Sequence, residues 1–232
     1  MHMTLRRAAI TALVVTVVLG MISNLLFLWA FEFRVDWFFD PAQLIAAGPA
    51  SPTLLRWAAL TDLFSYYLPT AVVALALWHA LRSRSPALAD GATLGALGYV
   101  VAGSIGAVSL ATAGPMLLQA YAAPGADQAT IATAFAVLAE VVERGVWQLL
   151  DTALIGAWLV GVGLLTRADQ PAFSRLSLAL GGFAWLATLF NVLGLGIARD
   201  AALGMVFALW AAWSIWLILL LRRRRAPFAT LG

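Results

Sequence analysis

The sequence predicts an all-α, polytopic membrane protein: a single bundle of six transmembrane helices, with an interfacial segment after the first helix and a long fourth helix. Hydrophobic residues make up 63% of the 232 residues and charged residues 11%, and the mean hydropathy is +0.93. These values lie far from the soluble average. Six apolar runs are each long enough to cross a hydrocarbon core of ~30 Å, and arginines gather in every second gap between them.

The predicted spans belong to one domain, residues 1–232, and cover residues 8–30, 55–81, 92–122, 146–166, 176–197 and 201–221. The first span follows Arg6 and Arg7 and ends without a convincing small-residue cleavage site, so we expect a retained helix. Residues 31–53 then mix Trp37 with charged side chains such as Glu32 and Asp40. That composition is typical of a segment lying at the membrane interface, where we expect a short surface helix.

The second, third, fifth and sixth predicted helices each contain a recognisable sequence pattern. The second helix places Asp62 and Tyr66 on one face. In the third helix, small residues recur at every fourth position from Gly98 to Gly106, which favours close approach of neighbouring backbones. The fifth helix contains Asn191, and the sixth is rich in tryptophan and ends in four consecutive arginines.

The fourth helix is the most informative element. From Ala129 to Arg167 it would extend ~58 Å, nearly twice what a span needs. We therefore expect its first half to lie outside the hydrocarbon or in the outer interface, with a break near Gly145. Its polar side chains share one face of a regular α-helix and are Glu140, Glu143, Arg144, Gln148 and Asp151.

The arginines predict the orientation of the bundle. Ten of the 14 basic residues fall on one side of the six spans if both termini share that side. By the positive-inside rule, this places both termini in the cytoplasm and the protein in a bacterial cytoplasmic (inner) membrane. The bilayer is then the expected partner. Because the basic residues lie at span ends, we expect no nucleic-acid partner, and the oligomeric state is left open.

Composition also excludes several kinds of chemistry. The chain has no cysteine, so disulfides, thiol redox chemistry and thiolate metal sites are excluded. It has no lysine, so a retinal Schiff base is impossible. The histidines are His2 at the terminus and His79 at a predicted span boundary, which do not form a haem-ligand pair. We expect no metal and no cofactor.

Buried polar residues predict a pocket. Counted from the expected outer ends of four helices, Asn24, Asp62, Asp151 and Asn191 all lie ~8–10 Å deep. The expected ligand-binding residues are Asn24, Asp62, Tyr66, Arg144, Gln148, Asp151 and Asn191, with Arg56, Glu140 and Glu143 at the rim. We expect an outward-facing pocket among helices one, two, four and five, with Arg144 as the counter-ion of Asp62 or Asp151.

Three functions fit such a pocket. The protein would bind or transport a small amphiphile or lipid, with Asp62 and Asp151 as polar anchors. Alternatively, an intramembrane enzyme would use one of these carboxylic acids on a lipid or isoprenoid substrate, although no catalytic residue can be assigned. The third function is that of a structural or partner-binding subunit, in which Arg–carboxylate pairs fasten helices together and no pocket exists.

The order of a short basic N-terminus, a long first outer loop and an arginine-then-acid entry to the second helix resembles a bacterial family. The residues concerned are Leu55 and Arg56 followed by Asp62, the Asp127–Gln128 pair, and Gly145 after the charged half of the fourth helix. The likeness is to the six-helix membrane family called domain of unknown function 4386 and covers nearly the whole chain. This resemblance implies a fold and no activity.

Overall fold

A computed structural model describes residues 4–34, 37 and 40–231. This part of the chain contains six long helices and no strand, which confirms the predicted fold class. Each helix is long and apolar enough to cross a membrane. The helices are α1 (Leu5–Ala30), α2 (Ser51–Leu81), α3 (Pro86–Tyr121), α4 (Gln128–Thr166), α5 (Pro171–Val192) and α6 (Gly196–Arg222).

Local sequence explains where the helices begin. Pro52, Pro86 and Pro171 lie in the first turns of α2, α3 and α5, where the missing N–H costs nothing. Thr4 caps α1, and Asp127 caps α4 through hydrogen bonds from Thr130.

The six helices form a closed ring in chain order. Each helix packs against the next, and α6 returns to contact α1. Small residues make the closest approaches possible. A Cβ added at Gly181 of α5 would lie 2.9 Å from the carbonyl oxygen of Gly156 of α4. Gly106 of α3, in the predicted small-residue repeat, lies against the Trp147 indole of α4, where an added Cβ would come within 2.8 Å of Nε1.

The fourth helix has the predicted length of 39 residues, but the predicted break near Gly145 is wrong. Instead, the residues Glu140–Asp151 form π-helical turns, in which backbone hydrogen bonds reach one residue further than in an α-helix. The backbone thus stays helical through Gly145, and no proline interrupts it there. A shorter π-helical stretch, Leu63–Tyr67, lies in the middle of α2.

The fifth helix ends at Val192, five residues before the predicted end of its span. Gly194 follows with φ of +70°, a left-handed conformation that terminates helices. Asn191 therefore lies in the last turn of α5, rather than ~9 Å inside the bundle.

The segment after α1 is partly described. A 3-10 helix, Pro41–Ala46, leads towards α2, and Trp37 and Leu44 are buried against the bundle. The side chain of Glu32 accepts a hydrogen bond from the Gly48 N–H at 2.9 Å. The expected surface helix also involves residues 35, 36, 38 and 39, which lie outside the described residues.

Buried apolar side chains form two clusters. The terminal core fills the half of the bundle that holds both chain ends and includes Leu77, Trp158, Phe173 and Trp213. The distal core fills the other half and includes Phe27, Leu55, Leu110 and Phe135. After α6, the chain folds back so that Phe228 and Leu231 are buried in the terminal core.

Candidate functional site

A cavity of ≈ 200 Å³ lies between the terminal and distal cores. Five of the six helices line it: α1, α2, α3, α4 and α6. Its wall is largely aromatic and aliphatic, and its polar side chains are carboxyl, amide and hydroxyl groups. The lining residues are Asn24, Phe27, Phe31, Asp62, Tyr66, Tyr67, Tyr99, Glu143, Trp147, Gln148, Asp151, Thr152, Ile155, Leu203, Gly204, Val206, Phe207 and Trp210.

Asp151 is the most enclosed acid of the cavity, with 4% of its surface exposed. It is the last residue of the π-helical stretch of α4. Its Oδ2 accepts a hydrogen bond of 2.9 Å from the Tyr67 hydroxyl of α2, and its Oδ1 has no hydrogen-bond partner. The Tyr67 ring fits over Gly103 of α3, where a Cβ would overlap it. Glycine at position 103 thus allows Tyr67 to reach across to α4.

Asp62 immediately precedes the π-helical stretch of α2. Its carboxyl group lines the cavity and makes no hydrogen bond or ion pair with any described residue. Glu143 of α4 lines the same cavity. Asp62, Glu143 and Asp151 therefore all belong to the wall of one cavity.

Tyr66 and Asn24 form a second polar pair on the wall. The Asn24 amide of α1 donates a hydrogen bond of 3.3 Å to the Tyr66 hydroxyl of α2. Gly20, one turn earlier in α1, makes room for the phenol, since a Cβ there would lie 2.7 Å from the Tyr66 oxygen. This pair holds the Tyr66 ring beside the cavity.

The remaining predicted site residues lie elsewhere. Arg144 is half-exposed and pairs with Glu140 of its own helix at 3.3 Å, so the expected pairing with Asp62 or Asp151 does not form. Arg144 and Glu140 are four positions apart on one helix, and their side chains meet outside the cavity. Asn191 donates a hydrogen bond of 2.9 Å to the Arg144 carbonyl oxygen. Arg56 is exposed and does not line the cavity.

The sixth helix, rather than the fifth, completes the cavity. Leu203, Gly204, Val206, Phe207 and Trp210 of α6 form this wall. Gly204 and Phe207 are also exposed, and a Cβ at Gly204 would meet nothing within 4 Å. The cavity thus reaches the bundle surface beside α6, in the half away from the chain ends.

A family profile described as "Domain of unknown function (DUF4386)" matches residues 9–221. The chain belongs to the DUF4386 family. The match runs from α1 almost to the end of α6 and includes every residue that lines the cavity. No curated protein and no solved structure matches the chain.

Several residues in or near the cavity of this DUF4386 protein were not among the site residues predicted from the sequence. Tyr67 and Trp147 adjoin the predicted site residues Tyr66 and Gln148, and each lines the cavity together with that neighbour, within a π-helical stretch. Arg199 is 6% exposed and bonds Asp200 at 2.8 Å and Asn191 at 3.5 Å. The sequence pattern that could have identified Arg199 is an arginine followed by an acid, Asp200, in an otherwise apolar helix. Tyr99 carried no signal, since it reaches the cavity only through the packing of α3.

The carboxyl groups do not form a metal site. Among the described residues, no group of three His, Cys, Asp or Glu side chains is placed to hold one ion. The cavity can offer a ligand carboxyl, amide and phenol groups, and aromatic faces.

Proposed function

We propose that this DUF4386 protein binds a small amphiphile in the cavity, as a carrier or receptor within the bacterial inner membrane. Buried polar atoms without partners are the observation that supports this function most directly. Asp151 Oδ1 and Gln148 Oε1 are buried and unpartnered, and both belong to residues that line the cavity. Leaving such a group unsatisfied costs about 1–3 kcal/mol, which a bound ligand would offset.

The alternative function, a structural subunit whose buried charges only hold helices together, fits this arrangement poorly. Fastening predicts tight Arg–carboxylate pairs without a void. Here the cavity separates the acids, no described basic residue lines it, and Arg144 is paired with Glu140 instead.

The position of the opening favours an amphiphile over a fully water-soluble ligand. The sixth span is predicted to begin at residue 201, so Gly204 lies three residues, or ~5 Å, inside the hydrocarbon, and Phe207 lies further along. An opening there borders lipid chains below the interface. A ligand whose apolar part stays among the lipid chains can place its polar end against the acids.

We also propose that the cavity lies in the outer half of the membrane. The lining residues Asn24, Asp62 and Leu203 lie nearer the ends of α1, α2 and α6 that are away from both chain ends, and the arginine distribution favours cytoplasmic termini. The ligand would then be taken from, or delivered to, the outer leaflet.

A mass-spectrometry screen of molecules that co-purify with the protein tests this function. Gly204→Phe places a ring at the opening, and Gly182→Phe is the matched control, because its Cβ also meets nothing within 4 Å and it does not line the cavity. We expect wild type and Gly182→Phe to carry the same small amphiphile and Gly204→Phe to lose it. Equal occupancy in all three proteins would contradict the proposal. A molecule that is chemically altered during incubation would favour the intramembrane enzyme.

A further inference from the structure

The charges around the cavity are strongly unbalanced. Asp62, Glu143 and Asp151 line it, while none of the described lining residues is basic. The nearby basic residues are committed elsewhere: Arg144 pairs with Glu140, and Arg199 pairs with Asp200. Asp62 and Asp151 therefore have no ion-pair partner among the described residues.

The cavity wall also holds buried oxygen atoms that lack a hydrogen-bond donor. They are Asp151 Oδ1 and Gln148 Oε1. Two lining indole N–H groups lack an acceptor as well: that of Trp147 lies towards Gly106 of α3, and the other belongs to Trp210 of α6. The cavity thus presents unpartnered carboxyl and amide oxygens to a ligand, together with an indole N–H on the α6 wall.

Aromatic faces complete the arrangement. The Tyr67 and Tyr99 rings lie 4.9 Å apart at one end of the cavity. The Phe27 and Trp147 rings meet edge to face at the other end, 6.2 Å apart. Aromatic faces attract organic cations, and more strongly where water is excluded.

From this combination, we infer that the ligand is a cationic amphiphile, with an amine or quaternary ammonium head held between Asp62 and Asp151 and an apolar tail leaving beside Gly204. This inference rests on the proposed function and specifies its ligand class. An ionised carboxylate in an apolar wall is stable only with a counter-charge, and here the ligand supplies it. An anionic head would meet three acids and no described cation.

The test uses three probes with the same ten-carbon tail: decyltrimethylammonium, decyl sulfate and decyl glucoside. Equilibrium dialysis against the full-length protein in a nonionic detergent measures the affinity of each probe. We expect decyltrimethylammonium to bind at least ~10-fold more tightly than the other two probes. Asp62→Asn should lower its affinity about tenfold, and this side chain makes no hydrogen bond whose loss would disturb folding. Asp151→Asn should have a similar effect, with size-exclusion chromatography as a check of folding.

Glu140→Gln is the matched control, because it removes the same charge from α4 outside the cavity. It should leave the affinity unchanged. If decyl glucoside or decyl sulfate binds as tightly as the cation, and Gly204→Phe blocks that binding, the cation inference fails while the proposed function stands. If Gly204→Phe blocks none of the three probes, or if none of them binds, both fail. Equal loss from Glu140→Gln and Asp62→Asn would show a general charge effect and also overturn the cation inference.

Discussion

The Tyr67 hydroxyl of α2 donates a hydrogen bond of 2.9 Å to the Asp151 carboxylate of α4, 84 positions later in the chain. It joins the two helices that contain π-helical turns, and both residues lie within or at the end of those turns. Such turns occur frequently at functional sites. The bond therefore links the geometry of the cavity to the packing of α2 against α4.

Removal of this hydroxyl should destabilise the protein. In Tyr67→Phe, Asp151 Oδ2 loses its described partner and joins the already unpartnered Oδ1, and we expect a loss of about 1–3 kcal/mol in the free energy of unfolding. Chemical denaturation in detergent measures it. Tyr121→Phe is the control, since the Tyr121 hydroxyl makes no described bond, and it should change stability by less than about 0.5 kcal/mol. Equal effects of both changes would show that the bond contributes nothing.

Gly103→Ala should perturb the same bond from a third helix. The added methyl group overlaps the Tyr67 ring, and we expect a loss of about 1–3 kcal/mol from overpacking. Gly91→Ala is the matched change in the same helix, because its Cβ meets nothing within 4 Å. It should stabilise the protein by about 0.4–1 kcal/mol. If Gly103→Ala and Gly91→Ala change the free energy of unfolding by the same amount and in the same direction, the close packing of Tyr67 on Gly103 is contradicted.

Arg144 and Arg199, two of the arginines at the distal end of the bundle, should differ in their contribution to stability. Arg144→Gln breaks an exposed pair within one helix and should cost less than about 0.5 kcal/mol. Arg199→Gln removes a buried guanidinium that bonds Asp200 and Asn191, and we expect a loss of about 1.5–3 kcal/mol. Thermal unfolding of the two variants gives the comparison. A larger loss from Arg144→Gln would restore Arg144 as the counter-ion of a cavity acid.

Acid should weaken the cap of α4. Hydrogen bonds from the Thr130 hydroxyl and then its N–H hold the pKa of Asp127 below its ordinary value. A lowered folded-state pKa means that the stabilisation is complete above the unfolded value of about 4 and disappears as the pH falls through the folded value. The difference in Tm between wild type and Asp127→Ala should therefore shrink below about pH 4. Asp127→Asn, which caps without a charge, should keep a constant advantage over Asp127→Ala. A difference that grows in acid would contradict this account.

Both termini should lie in the cytoplasm. Because the native chain has no cysteine, single cysteines report topology directly. Ala123 follows α3 and Ala168 follows α4, and both are exposed. A membrane-impermeant maleimide should label Ala123→Cys in intact spheroplasts and Ala168→Cys only after lysis. The reverse pattern would invert the orientation and move the cavity to the inner half of the membrane.

The sequence alone was sufficient to predict the fold, and it singled out two acids that line the cavity. Six spans could be predicted because each apolar run is long enough to cross the bilayer. Asp62 and Asp151 could be singled out because charges are costly inside such runs. Arg144 was assigned to the cavity on a regular helical wheel, but π-helical turns at Glu140–Asp151 change the angle between successive residues. Hydropathy does not encode that change.

The neighbours of each helix could not be predicted from the sequence. Both α5 and α6 are apolar and rich in small or aromatic residues, and nothing in their patterns distinguishes the helix that faces α1. The helix that faces α1 is α6, because the ring closes between α6 and α1. This tertiary contact joins the first and last helices of the chain. Asn191 was misassigned for a local reason, since the turn at Gly194 ends α5 early.

Closure of the ring between the first and last helices also fixes an order of events during synthesis. The ribosome delivers α1 to the membrane long before Leu203–Trp210 of α6 exist, so the cavity has no sixth-helix wall while the chain is growing. Until then, Asp62 and Asp151 border an open groove rather than an enclosed site. The binding site is thus the last part of the protein to be assembled, and a nascent chain that stalls before α6 has every cavity acid in place but cannot enclose a ligand.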